Sequence, residues 1–136
     1  MTETTNTPEG FNPEDSLEYI TRRLMQIEVA LYRGPAVMRT AREAATVAEE
    51  RLNRAKARAL LSAPVQDEAG RKLTAAEREA HAFLAVNTER EEWQTKDAAH
   101  RYAQDVNRAL DREKDALQTR SANLRAEAQL AGAGAR

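Results

Sequence analysis

The 136-residue chain has no cysteine. Disulfide frameworks, Cys-ligated zinc and thiol chemistry are therefore excluded. It is poor in helix punctuation, with five Gly and four Pro, and aromatics make up only 4%. It has no Val/Ile run of strand length. A sandwich or barrel needs β-branched residues, aromatics and frequent turns, so both are excluded, and a parallel α/β sheet has no strands to build from. The longest uncharged helical stretch is AHAFLAVNT. That is far short of the roughly 20 apolar residues of a membrane span. The N-terminal run MTETTNTPEG has neither the basic nor the apolar region of a secretory signal. Charge of one sign is also missing. There are 21 basic and 22 acidic residues, for a net charge of −1. A blanket polyanion binder is strongly basic, and this chain is not. The expectation is a protein without a membrane span, working in the cytoplasm.

What the chain does contain is alanine, more of it than of any other residue type, among Glu, Arg and Leu. That mixture belongs to long helices and coiled coils. Residues 1–12 read as a disordered acidic tail. Asn12 and Pro13, followed by Glu14 and Asp15, form a helix start: a cap, a proline suited to the first position, and acids at the positive end of the dipole. From there an apolar seam runs at spacings of three and four: Leu17, Ile20, Leu24, Ile27, Leu31, Gly34, Met38, Ala41, Ala45, Ala48, Leu52, Ala55 and Ala59. Gly34-Pro35 lies inside this seam. Two readings stay open: a kinked continuous helix, or a full break that gives three helices. Residues 62–73, with Pro64 and Gly70, form the one clear loop. Thr74 and Glu77 have capping-box spacing, which starts a second arm over 74–131. Residues 132–136 read as a flexible tail.

The predicted fold is all-α, a long antiparallel helical hairpin or coiled coil with arm one at 13–61. The second arm is patterned less cleanly. Its early apolar face is Ala76, Ala80, Phe83, Val86 and Trp93. Its later face is Ala99, Tyr102, Val106, Leu110, Leu117 and Leu124, and the phase slips between Glu89 and Ala98. Glu113, Arg120 and Glu127 occupy alternate positions. Such a seam buries little area, and each buried Ala contributes less than a Leu. Two such arms are marginal alone, so self-association is expected.

Glu77 and His81 are spaced i, i+4, and Asp97 and His100 i, i+3. A di-iron bundle needs Glu-x-x-His on two helices with further carboxylates, and here there is one imperfect copy, so the pairs read as helix-surface residues. No phosphate-cradling Gly-rich loop or Ser/His arrangement is present. The chain reads as no enzyme, with no metal and no cofactor. Trp93, the single tryptophan, lies in a polar stretch. Its ring either packs on the opposite arm with a wet edge, or anchors a partner or a nucleic-acid base. Arg51, Arg54, Lys56 and Arg58 make the densest basic patch, which Arg71, Lys72 and Arg78 could join. It is either a solvated flank covering the seam with its alkyl stems, or a phosphate-contacting surface.

The stretch AEERLNRAKARALLSA, the polar loop followed by TAAEREAHAFL, and the closing run from Arg120 to Glu127 resemble a family of short helical proteins encoded by tailed phages of actinobacteria. The resemblance covers residues 17–132. It implies a phage accessory protein of the kind found beside recombination and single-strand-binding genes, and it carries over no catalytic residue. The expected function is a non-enzymatic helical interaction protein that forms homo-oligomers and binds a protein partner. The alternatives are a nucleic-acid-associated accessory factor using the basic patch, and a virion scaffold or tail component.

Overall fold

The computed structural model describes residues 16–134. Among them the chain is all-α: α1 (Leu17–Ser62), α2 (Ala75–Ala85) and α3 (Asn87–Gly134). The expected cap at Asn12-Pro13 and the 1–12 tail lie outside the described residues. At the described beginning of α1, the Ser16 hydroxyl accepts from the Tyr19 N–H at 3.1 Å. This satisfies one of the donors that a helix start leaves open.

α1 runs unbroken through Gly34-Pro35. The full break is thus corrected, because the seam continues in phase on both sides of the proline. Every seam residue from Ile20 to Ala59 is buried or half-buried, and only Leu17 is exposed. The loop then closes on itself. Gln66 and Lys72 form an isolated antiparallel bridge. Asp67 accepts the Gly70 N–H at 3.0 Å through its carbonyl, and the Arg71 N–H at 2.7 Å through its carboxylate. Gly70 has φ +86, a left-handed conformation that favours glycine at this corner.

Thr74 caps α2, accepting from the Glu77 N–H at 3.2 Å. The reciprocal half of the expected box is replaced by an ion pair of Glu77 with Arg71 at 3.0 Å. The second arm is not one helix. It breaks at Val86 (φ −107, ψ 23), which is buried. A continuous helix would hand the Phe83 carbonyl to a backbone N–H. Here the Arg90 guanidinium donates to that carbonyl instead. The same guanidinium lies over the Phe83 ring, 3.3 Å from its centroid, where the ring's negative face attracts a cation. The expected tail from residue 132 is also corrected, since α3 continues through Gly132 to Gly134.

The chain divides into two compact units, one joining residues up to Arg33 with those from Asn107 onward, the other spanning Gly34–Val106. In the first, α1 and α3 pack antiparallel around Ile20, Ile27 and Leu117, with Tyr19, Leu24, Leu31, Leu110 and Leu124 against them. Full burial of a side chain such as Ile contributes about 1.5–3 kcal/mol. Arg23 grips Glu113 with two bonds, Nε to Oε1 at 2.6 Å and Nη2 to Oε2 at 2.8 Å. That hydrogen bonding holds the Glu113 carboxyl below the usual carboxylate range and raises the Arg23 guanidinium, with partial burial opposing both. In the second unit, α1 and α3 again run antiparallel. Its buried apolar residues are Ala45, Ala48, Leu52, Ala63, Ala82 and Val86, four of them alanines.

On α3 the seam differs from the expected face. Ala99, Tyr102 and Val106 are exposed, while His100, Asn107 and Lys114 are half-buried and Ser121 is buried. These four stand at seven-residue intervals, forming a polar column beside the apolar Leu110, Leu117 and Leu124. The Asn107 Oδ1 is buried without a hydrogen-bond partner. On α2, Ala82 is buried instead of Ala76, Ala80 or Phe83.

Candidate interaction surfaces

The Gly34–Val106 unit presents two unlike flanks. Helix geometry, at 3.6 residues per turn, keeps residues seven apart in one column. On one flank α1 carries Val37, Ala44 and Arg51, and α3 carries Glu92, Ala99 and Val106. Arg51 and Glu92 form an ion pair at 3.3 Å. Ion pairs are the usual occupants of such flanking positions. In the antiparallel register set by that pair, the next rungs are Ala44 with Ala99 and Val37 with Val106. Both are apolar where charge is the norm. They open onto a hollow of ≈ 480 Å³ lined by Ala36, Val37, Thr40, Ala41, Ala44, Lys96 and Ala99. Val37, Val47, Tyr102 and Val106 are all exposed, Tyr102 by 72%.

The other flank is polar. Pro35, Met38, Arg39, Arg42, His100 and Gln104 line a hollow of ≈ 300 Å³. Its columns continue with Glu49 and Lys56 on α1 and with Asp97 on α3, where Asp97 pairs with Arg101 at 3.0 Å.

The expected basic patch is not one surface. Arg51, Arg54 and Arg58 fall within about 60° of helix circumference. Lys56 turns the other way, into a hollow with Leu60, Glu79, Ala82 and Phe83. Arg51 is held by Glu92, and Arg71 by Asp67 and Glu77. Arg78 donates to the Leu60 carbonyl at 3.3 Å. The same carbonyl, in the last turn of α1, also accepts the Ala63 N–H at 3.4 Å. Of the three arginines that share a face, Arg54 and Arg58 remain exposed and without a carboxylate among the described residues. Trp93 is half-buried and shares the seam column of His100, so part of its ring surface belongs to the chain's own packing. Glu77 and Asp97 are taken by arginines instead of pairing with His81 and His100. Among the described residues no group of three or more His, Asp or Glu is placed to hold a metal.

Compared with protein-family models, with curated proteins and with solved structures, the chain matches none. None of its helices is long and apolar enough to cross a membrane, among the described residues.

Proposed function

We propose that the chain is a non-enzymatic helical interaction protein that self-associates and, as an oligomer, binds a protein partner. The observation that carries this reading is the imbalance of apolar surface. Among the described residues, nine hydrophobic side chains are buried, while fourteen large ones are exposed. Exposed apolar surface gathered on helix faces marks association sites. The resemblance to phage accessory proteins supports a phage-encoded role in the bacterial cytoplasm. Light scattering after gel filtration tests the core of the proposal: at least a dimer is expected at micromolar concentration, and a monomer at all concentrations refutes it.

Nucleic-acid binding is a second reading, favoured by the guanidiniums of Arg54 and Arg58, which no carboxylate holds among the described residues. It rests on a smaller patch than the sequence suggests, since Arg51 is paired and Lys56 points elsewhere. Binding of this kind is weak, independent of sequence and steeply salt-dependent, because each phosphate contact releases counterions.

A further inference from the structure

We infer that the apolar flank of the Gly34–Val106 unit is the self-association surface, and that its occupant is the same flank of a second copy, related by a two-fold axis near Thr40. This inference rests on the self-association reading above and locates it.

Three observations converge on that flank. The first is its departure from the charge pattern. Two-stranded helical pairs carry ions on both flanks of the seam. The flank of Arg42, Glu49, Lys56 and Asp97 does so. The opposite flank keeps one ion pair, Arg51–Glu92, and then turns apolar for two rungs. An apolar arc that wide faces another layer of helices, not water. The second is the poverty of the interior beneath. Where α1 and α3 pair in this unit, the buried apolar residues are Ala45, Ala48 and Leu52, two of them alanines, so these two helices gain little from each other and have most to gain from further cover. The third is the relief of the surface. Ala41, Ala44 and Ala99 line its floor, while Val37 is 56% exposed at one end and Val47 and Tyr102 stand exposed beside it.

That relief is self-complementary. Along α1, Val37 and Ala44 lie on either side of Thr40, at nearly equal distances. A two-fold axis through the Thr40 level exchanges the two ends, so Val37 of each copy enters the space over Ala44 and Ala99 of the other. This is the property an isologous interface requires. Lys96 poses no obstacle, because it can lay its alkyl stem on the groove and keep its ammonium at the rim.

The size also fits a dimer of modest affinity. The stretch from Ala36 to Val47 rises about 18 Å, and two helices side by side are about 20 Å across. Covering that footprint on both copies removes roughly 700 Å² from water, less than the ~1,200 Å² of a stable specific interface and in the range of weak, transient contacts. A weak dimer, with a dissociation constant no tighter than the micromolar range, is the expected consequence.

The absence of cysteine makes the test clean. The wild type is examined by sedimentation equilibrium from about 1 to about 200 µM, beside Ala44→Glu in the groove and Thr46→Glu, an equal charge change on the opposite side. Thr40→Cys is oxidised in parallel. Circular dichroism confirms helicity in every variant. The expected result is a wild-type dimer, an undisturbed Thr46→Glu dimer, a loss of more than about 100-fold in affinity for Ala44→Glu, and a disulfide-linked Thr40→Cys dimer. A helical Ala44→Glu that dimerises like wild type, or a Thr40→Cys that does not cross-link, overturns the placement while leaving self-association standing. A wild type that stays monomeric over the whole range overturns both.

Discussion

Replacing Pro35 by Ala should stabilise the protein, and the size of the gain follows from where the proline sits. Proline in a helix interior is about 3 kcal/mol less favourable than alanine, through its missing N–H and the clash of its ring with the carbonyl four residues before it. Here that carbonyl belongs to Leu31, inside a helix that continues past it. The Pro35 side chain is exposed, on the hollow with Met38 and Arg42, so little packing is lost with the ring. The unfolded chain gains freedom when the ring is removed, which offsets the gain by up to about 1 kcal/mol. The net expectation is about 2 kcal/mol. For about 120 ordered residues, an unfolding entropy of about 2.1 cal/mol/K per residue converts this to a Tm rise of about 8 °C. Adding Gly34→Ala should raise stability further, by up to about 1 kcal/mol. Thermal melts followed by circular dichroism and urea midpoints, both at fixed protein concentration, measure the change. A Tm several degrees below wild type for Pro35→Ala would refute the reasoning, because it would mean that α1 packs on α3 only with the geometry the proline imposes.

Ile27→Ala should cost about 2–4 kcal/mol, because it empties a fully buried site. Met25→Ala, at an exposed position of the same helix, should change stability by no more than about 0.5 kcal/mol. Equal urea midpoints for the two would contradict the described core. The depressed Glu113 carboxyl stabilises the fold above its unfolded value of about 4.3, and this is lost as pH falls through the lower folded value. Glu113→Gln should therefore flatten the acid limb of a stability–pH curve while lowering neutral stability by no more than about 1 kcal/mol, since the pair is partly exposed. Thr74→Ala should cost about 1 kcal/mol, seen as faster amide exchange in the first turn of α2. Reversing Arg54 and Arg58 to Glu should abolish any low-salt DNA binding without loss of helicity; no binding by the wild type at about 50 mM salt would remove the nucleic-acid reading.

From Ile20 to Ala59 the α1 seam is legible in the sequence to the residue, because each position at the three-and-four spacing is apolar or small and the phase crosses Gly34-Pro35 undisturbed. For α3 the same search finds Leu110, Leu117 and Leu124 but takes the wrong frame before them. Its seam is half polar, with His100, Asn107, Lys114 and Ser121 in one column, and a search for apolar residues passes over such a column. The eye is drawn instead to Ala99, Tyr102 and Val106, which are exposed. The break at Val86 is hidden for another reason. It has no Gly or Pro, and it is held by a guanidinium that reaches back from Arg90. The basic patch looks whole because four cations lie close together in sequence, yet Lys56 sits half a turn from Arg54. Ion pairing across the helices, which decides that Arg51 is occupied, joins residues 41 positions apart and leaves no local trace.

The two arms differ in the changes of length they tolerate. Within α1, inserting or deleting one residue turns everything beyond it by about 100°. An insertion near Thr40 would swing Ala45, Ala48 and Leu52 into solvent and bring charged residues inward. Only additions of a whole heptad, matched by the same number in α3, would keep both Arg51 with Glu92 and Arg23 with Glu113 in register. At Val86 the helical frame is already interrupted, and a residue added there rotates no continuous seam. Proteins descended from the same ancestor should therefore vary in length freely around the loop and Val86, and elsewhere in paired steps of seven.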